Sequence, residues 1–162
     1  MKTVSARCLI LACGNTLRED DGVGPFLAAW AEERFGGEPA LRVISRQQWT
    51  PELAEDLAGA KSVVFIDCAA NAEPGSVQVS RVEPGNGTSG LATHHFGAAE
   101  LLSLTRELYG KSPHTSLLLT IGASSLELRE GFSEAVQSAL PEAFRVLETT
   151  VCDLLNSPNY RK

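Results

Sequence analysis

The chain has 162 residues, of which 43% are hydrophobic, so it is long enough to form a single domain with a sizeable core, spanning residues 1–162. Its formal net charge is -6 and it contains no run of basic residues. This argues against nucleic acids and anionic membranes as partners, because Lys and Arg dominate the binding of both. The N-terminal apolar stretch is too short to span a membrane and lacks the hydrophobic region of a signal peptide, so we expect no membrane insertion and a cytoplasmic location.

In the first half of the chain, the hydrophobic pattern predicts strands alternating with helices. Residues 7–13 and 61–67 are continuous apolar runs, typical of buried parallel strands. Between them we expect a helix at 22–35, a strand at 41–45 and a short helix at 51–57. The apolar face predicted for the first helix consists of Val23, Phe26, Leu27, Trp30 and Ala31.

The second half continues the alternation. Residues 77–80 alternate in polarity and follow a turn, which suggests a hairpin partner, and a glycine-rich loop follows at 83–90. A helix is expected at 98–109, with Leu101, Leu102, Thr105 and Leu108 on its apolar face, and a buried strand at 115–121. The last helix is expected to begin at Pro141. The whole pattern predicts an α/β layered fold with five mostly parallel strands.

The cysteines predict the redox state of the compartment. All four, Cys8, Cys13, Cys68 and Cys152, are scattered along the chain without a C-x-x-C pair. We therefore expect free thiols under reducing conditions.

Three acids follow the first strand: Glu19, Asp20 and Asp21. Nucleotide-binding proteins place a phosphate here because the N-terminus of a helix is positive. In this chain the position is filled by the protein's own anions and the glycine spacing is not G-x-G-x-x-G, so nucleotide binding is disfavoured. An aspartate is a good helix N-cap, and we assign capping to Asp20.

A second acid and a histidine suggest a metal site. Asp67 ends the predicted strand 61–67, and the carboxyl ends of parallel strands lie together, so it can approach Asp21. His94 precedes the helix at 98–109, at a connection that can reach the same edge. Two carboxylates and an imidazole suit a divalent cation such as Zn²⁺ or Ni²⁺ and leave positions for water or substrate. Taken singly, each of these residues has an ordinary structural explanation.

The chain also resembles the hydrogenase maturation proteases, endopeptidases that trim the C-terminus of the large subunit of nickel–iron hydrogenases. The resemblance runs nearly end to end and is most specific in GNTLREDDGVG at 14–24, which matches the family pattern G-N-x-L-x-x-D-(D/E)-G-x-G. Further matching segments are VVFIDCA at 63–69, THHFGAAELL at 93–102 and LLLTIGASSLELREGFSEAV at 117–136.

The resemblance implies a three-layer α/β/α, phosphorylase/hydrolase-like fold and an aspartic-type endopeptidase activity. By position, the three metal-binding residues of the family correspond to Asp21, Asp67 and His94, with His95 as the alternative histidine. The implied substrate is the large-subunit precursor, which loses its C-terminal extension after nickel insertion. No permanent cofactor is expected, because the substrate supplies the nickel; zinc or cadmium could bind the same residues in a purified sample.

Two mechanisms and two other functions stay open. In the favoured mechanism, a water molecule polarised by the substrate's nickel attacks the peptide bond. In the other mechanism, the two carboxylates act together as an acid and base pair. The same ligands would also serve a metal-sensing chaperone that docks on the immature large subunit without cleaving it. A cysteine hydrolase that uses Cys68 and His94 is disfavoured, because the neighbouring Asp67 raises the pKa of the thiol.

Two further features could contribute to substrate binding, although for the second of them, the loop at 83–90, a solvated surface turn is the favoured interpretation. Gly22 and Gly24 would leave room beside Asp21 for another polypeptide backbone. The glycine-rich loop at 83–90 could close over the substrate tail.

Overall fold

The computed structural model describes residues 6–85 and 96–157. In chain order, the elements are β1 (Cys8–Cys13), a 3-10 helix (Glu19–Gly22), α1 (Val23–Arg34), β2 (Leu41–Arg46), α2 (Leu53–Ala58), β3 (Ser62–Ala69), β4 (Val77–Arg81), α3 (Ala98–Tyr109), β5 (Thr115–Gly122) and α4 (Glu134–Asn156).

The strands form one sheet in the order β2-β1-β3-β5-β4. All neighbouring pairs are parallel except β4 and β5, which are antiparallel. The expected five-stranded, mostly parallel sheet is therefore confirmed. The expected hairpin is wrong, because β4 does not lie beside β3: β5 is inserted between them, and β4 forms the edge of the sheet.

Helices cover both faces of the sheet. Side chains of α1 and α4, such as Leu27 and Leu147, are buried against one face with Ile10 and Val64. The other face carries α2 and α3, together with Leu9, Phe65 and their neighbours. Because successive strand residues point to opposite faces, apolar residues along β1 and β3 supply both cores in turn. The predicted three-layer α/β/α architecture is confirmed.

The last helix starts earlier than its proline indicates. Glu134 is its first residue, and the hydroxyl of Ser133 caps it by accepting a hydrogen bond from the N–H of Val136. Pro141 lies inside the helix, where its missing N–H removes one hydrogen bond. Burial of Val136 and Ala139 before the proline keeps the first turns helical.

Two predicted core residues are exposed instead. Leu108, in the last turn of α3, is 60% exposed, and Phe26 is 43% exposed. Phe26 nevertheless contacts Phe132 edge to face, with ring centroids 5.2 Å apart. In both cases the apolar stripe of the helix is wider than the surface that the sheet covers.

All four cysteines are free thiols, as expected. None of the helices in the described part of the chain combines the length and the apolar character needed to cross a bilayer.

Candidate active site

The first turn of α1 lies directly on the carboxyl ends of β1 and β3. A side chain at Gly24 would place its Cβ 2.3 Å from the carbonyl oxygen of Cys13 and 3.3 Å from that of Ile66. At Gly22 the Cβ would lie 3.0 Å from the Cα of Thr16. Both glycines therefore allow the chain to pack closely on itself. The expectation that they leave room for a substrate backbone is wrong.

Asp21 is held at this edge by the segment that precedes it. Its Oδ2 accepts a hydrogen bond of 2.7 Å from the backbone N–H of Asn15. The side chain is half-buried, in contrast to the two acids before it, which are fully buried. Asp21 is thus the member of the acidic triplet that is accessible to a ligand.

Asp67 lies in β3, two residues before the end of the strand. Its Oδ1 accepts a hydrogen bond of 2.7 Å from the backbone N–H of Cys68, and the thiol of Cys13 in β1 is hydrogen-bonded to the same carboxylate. Asp67 is half-buried, like Asp21. Two neighbouring strands therefore orient this side chain.

Both carboxylates lie near enough to the thiols of Cys13 and Cys68 to act on them electrostatically. Burial raises the pKa of the Cys13 thiol, and the negative charges of Asp67 and Asp21 raise it further. Burial is the largest cause that raises the pKa of the Cys68 thiol to about 12, and the negative charges of Asp21 and then Asp67 are the next largest. Both thiols are therefore protonated at neutral pH, which argues against Cys68 as a nucleophile.

The predicted histidine ligand, His94, and its alternative, His95, lie outside the described residues. Within residues 6–85 and 96–157, no three His, Cys, Asp or Glu side chains are grouped so that they could hold a metal ion. The complete ligand set of Asp21, Asp67 and His94 therefore stays a prediction.

The structure describes the glycine-rich loop only as far as Gly85, whose N–H donates a hydrogen bond to the carbonyl of Ala99 in α3. The rest of the loop, and with it the predicted closure over the substrate, lies outside the described residues.

Asp20 does not cap α1. The N-cap position of that helix is Gly22, with no side-chain hydrogen bond, and Asp20 is fully buried. Its carboxylate accepts hydrogen bonds from the N–H groups of Ser124, Ser125 and Ser133, at 2.8, 3.0 and 2.8 Å, and from the hydroxyl of Ser133, at 2.8 Å. Asp20 thus fastens the acidic turn to the loop between β5 and α4. Burial opposes ionisation of Asp20, but these hydrogen bonds outweigh it and lower the pKa.

Glu19 makes a second connection to the same loop. Its backbone is left-handed, with φ of 46°, and it is the one non-glycine residue with positive φ in the described part of the chain. Its N–H donates to the carbonyl of Arg129 at 2.8 Å, and its carboxylate accepts from the guanidinium of Arg129, also at 2.8 Å. The hydrogen bond from Arg129, followed by one from Ser125, lowers the pKa of Glu19.

The roles of Ser133 and Arg129 were not predicted from the sequence. Their position in the segment that follows β5 could have indicated these roles, because β5 ends at the same edge of the sheet as β1 and β3.

A cavity of about 390 Å³ lies near the beginning of β5, between β4 and α3, and its lining includes Arg81, Arg106 and His114. It is separate from the candidate active site.

No family model matches the chain. A curated relative, the hydrogenase 2 maturation protease of Escherichia coli (strain K12), is 26% identical over 141 residues, which cover 85% of each chain. The crystal structure of a hydrogenase 2 maturation peptidase from Thaumarchaeota archaeon SCGC_AB-539-E09 superposes with a TM-score of 0.65 at 25% identity, covering 90% of this chain and 97% of that one.

A further structure shows the same fold at lower identity. The hydrogenase maturating endopeptidase HybD from Escherichia coli matches with a TM-score of 0.76 and 22% identity, covering 91% of this chain and 93% of that one. These coverages mean that nearly the whole domain corresponds in each comparison. The chain is therefore similar over most of its length to the hydrogenase maturation proteases, and this similarity supports a peptidase activity.

Proposed function

We propose that this protein is the endopeptidase that removes the C-terminal extension of a nickel–iron hydrogenase large-subunit precursor after nickel insertion. Asp21, Asp67 and His94 bind the nickel of that substrate. The observation that carries the proposal is that Asp21 and Asp67, from distant parts of the chain, both act electrostatically on the thiols of Cys13 and Cys68 at one edge of the sheet.

The donor set suits the proposed substrate. Two carboxylate oxygens and one imidazole nitrogen are acceptable ligands for a borderline divalent ion such as nickel. Three ligands leave coordination positions for groups of the precursor itself. The ion arrives with the precursor, so the protease needs no permanent cofactor.

Hydrogen bonds prepare both carboxylates for this role. Asn15 orients Asp21 through its N–H, and Cys68 and Cys13 orient Asp67. Such partners fix the direction of a ligand before the ion arrives, which raises affinity because less freedom is lost on binding. The rigid strand ends of the sheet position the reacting peptide relative to these groups.

The chemistry requires a polarised scissile carbonyl and an activated water. Nickel bound at the site supplies Lewis acidity for both tasks. In the alternative mechanism, Asp21 and Asp67 share one proton and act as acid and base, as two close carboxylates can. The two mechanisms differ in whether cleavage requires nickel in the precursor.

The test compares nickel-loaded with nickel-free precursor and measures the mass of the product. The proposal predicts a shortened large subunit from the nickel-loaded form only. Equal cleavage of both forms would instead support the carboxylate pair. Stable binding without any shortened product would support the non-cleaving chaperone.

The histidine ligand is tested by a matched pair of variants, His94→Ala and His95→Ala. Only His94→Ala should abolish cleavage. Calorimetric titration of the isolated protein with zinc or cadmium gives a readout without the precursor, and His94→Ala should weaken that binding as well. The reverse result would transfer the role to His95.

A cytoplasmic location is part of the proposal. The free thiols in this structure are compatible with the reducing conditions there.

A further inference from the structure

Two leucines near the acidic turn are strongly exposed to solvent. Leu17 is 54% exposed and Leu128 is 84% exposed. Exposed side chains with charge, Arg18, Glu127 and Glu130, lie next to them in the sequence. An exposed apolar patch with a polar rim is typical of a surface that binds another polypeptide.

The structure places these two leucines on neighbouring segments. Arg18 and Arg129 form an isolated parallel β-bridge, which brings together the two segments that carry Leu17 and Leu128, the residues immediately before them. The hydrogen bond from the N–H of Glu19 to the carbonyl of Arg129 is part of this bridge. We name Leu17 and Leu128 together the leucine ledge.

Hydrogen bonds order the two segments that carry the leucine ledge. The N–H of Leu17 donates to the side-chain oxygen of Asn15 at 2.9 Å. On the other segment, Arg129 is joined to Glu19, and Ser125 and its neighbours are joined to Asp20. A surface that is already ordered loses little conformational freedom when it binds a partner.

The ledge is also continuous with the candidate active site. Asn15 accepts the hydrogen bond from Leu17 and donates its own N–H to Asp21. The leucine ledge is therefore joined to Asp21 through one residue, Asn15.

We propose that the leucine ledge binds an apolar side chain of the large-subunit precursor, close to the peptide bond that is cleaved. The ledge thus contributes to substrate affinity, whereas Asp21 and Asp67 contribute to the reaction. This inference rests on the proposed function, because that function supplies the precursor as the partner.

The test replaces both leucines, in the variant Leu17→Ser/Leu128→Ser, and measures kcat and KM with the nickel-loaded precursor. We expect KM to rise about tenfold, with kcat and the melting temperature unchanged, as for loss of a binding contact made equally in the ground and transition states. Leu108→Ser is the matched control, since Leu108 is another leucine that is 60% exposed. It should change neither constant. An unchanged KM in the double variant would overturn the proposal.

A second experiment identifies the occupant. Precursor whose apolar residues beside the cleavage point are replaced by serine should lose affinity for the unaltered protease by the same factor. It should lose no further affinity for the double leucine variant, because the two changes remove one contact. Additive losses would contradict the inference. Loss of self-association with unchanged precursor binding would show instead that the ledge joins two copies of this chain.

Failure of the proposed endopeptidase function can be distinguished from failure of the leucine ledge inference. If no shortened product forms with the unaltered protein, the affinity of the precursor for the protease is measured directly by calorimetry. That affinity still tests the ledge, and an equal value for the unaltered and double variant proteins would overturn it.

Discussion

The buried part of the acidic turn, Glu19 and Asp20, differs from its accessible part, Asp21, although all three side chains are carboxylates. Asp20 is fully buried and accepts four hydrogen bonds from the loop after β5. Asp21 is half-buried and accepts a hydrogen bond from Asn15, six residues before it. The buried acids join two distant segments of the chain, whereas the accessible acid faces the ends of the central strands.

This difference shows how one short motif carries two tasks. A buried carboxylate is stable only when several donors surround it, and the serines of the loop supply them. By their bonds to that loop, Glu19 and Asp20 fix the backbone immediately before Asp21. The two structural acids thereby position Asp21, the acid for which we propose a functional role. Substitutions of single residues test this comparison.

The largest effect is expected for Asp21→Asn. The amide keeps an oxygen that can accept the N–H of Asn15 but removes the negative charge offered to the metal. Cleavage of the nickel-loaded precursor should fall by about 1,000-fold, while the melting temperature stays nearly unchanged. Mass spectrometry of the product over time and thermal unfolding measure the two quantities. Normal cleavage by this variant would show that the site is wrongly assigned.

In contrast to Asp21→Asn, the variant Asp20→Asn should mainly lower the melting temperature, because it destabilises the fold. The amide NH₂ group would face N–H donors in a buried site, which costs about 2–4 kcal/mol. For a domain of this size the melting temperature should drop by about 5–15 °C. Asp153→Asn, at an exposed aspartate of α4, is the matched control and should leave it unchanged. If Asp20→Asn is as stable as the control, the buried network is not a structural anchor.

The pH dependence of stability should report the same buried acid. The folded-state pKa of Asp20 lies below its ordinary value of 3.8, so its contribution is complete above that value and is lost as the pH falls through the lowered pKa. The melting temperature should therefore fall in acid, with the same sign of contribution from Glu19. Asp20→Asn should show a shallower decline between about pH 5 and pH 2. Parallel curves for the two proteins would contradict this assignment.

The smallest effect is expected for Arg129→Met. Its guanidinium is largely exposed, at 63%, so water can partly replace it as the partner of Glu19. The melting temperature should fall less than in Asp20→Asn, and KM for the precursor should rise slightly because the segment carrying Leu128 is less firmly held. Arg145→Met, at another exposed arginine, serves as the control. A loss of stability equal to that of Asp20→Asn would mean that Glu19 contributes as much to the anchor as Asp20.

The amino-acid sequence by itself determined the parts of the fold that depend on near neighbours. Continuous apolar runs identified β1, β3 and β5, and helical spacing identified α3 with its observed bounds, Ala98–Tyr109. The placement of Asp67 near the carboxyl end of β3, and of Asp21 in the segment that follows β1, also followed from the pattern.

Only the tertiary structure decided which acid is buried and which is accessible. The donors to Asp20 lie 104 to 113 positions along the chain from it, and no local pattern connects Ser124 or Ser133 with the acidic turn. The same is true of the leucine ledge, since the pairing of Arg18 with Arg129 brings its two members together. Propensity and periodicity describe interactions within a few residues, whereas hydrogen bonds between distant segments form only when the sheet has placed those segments side by side.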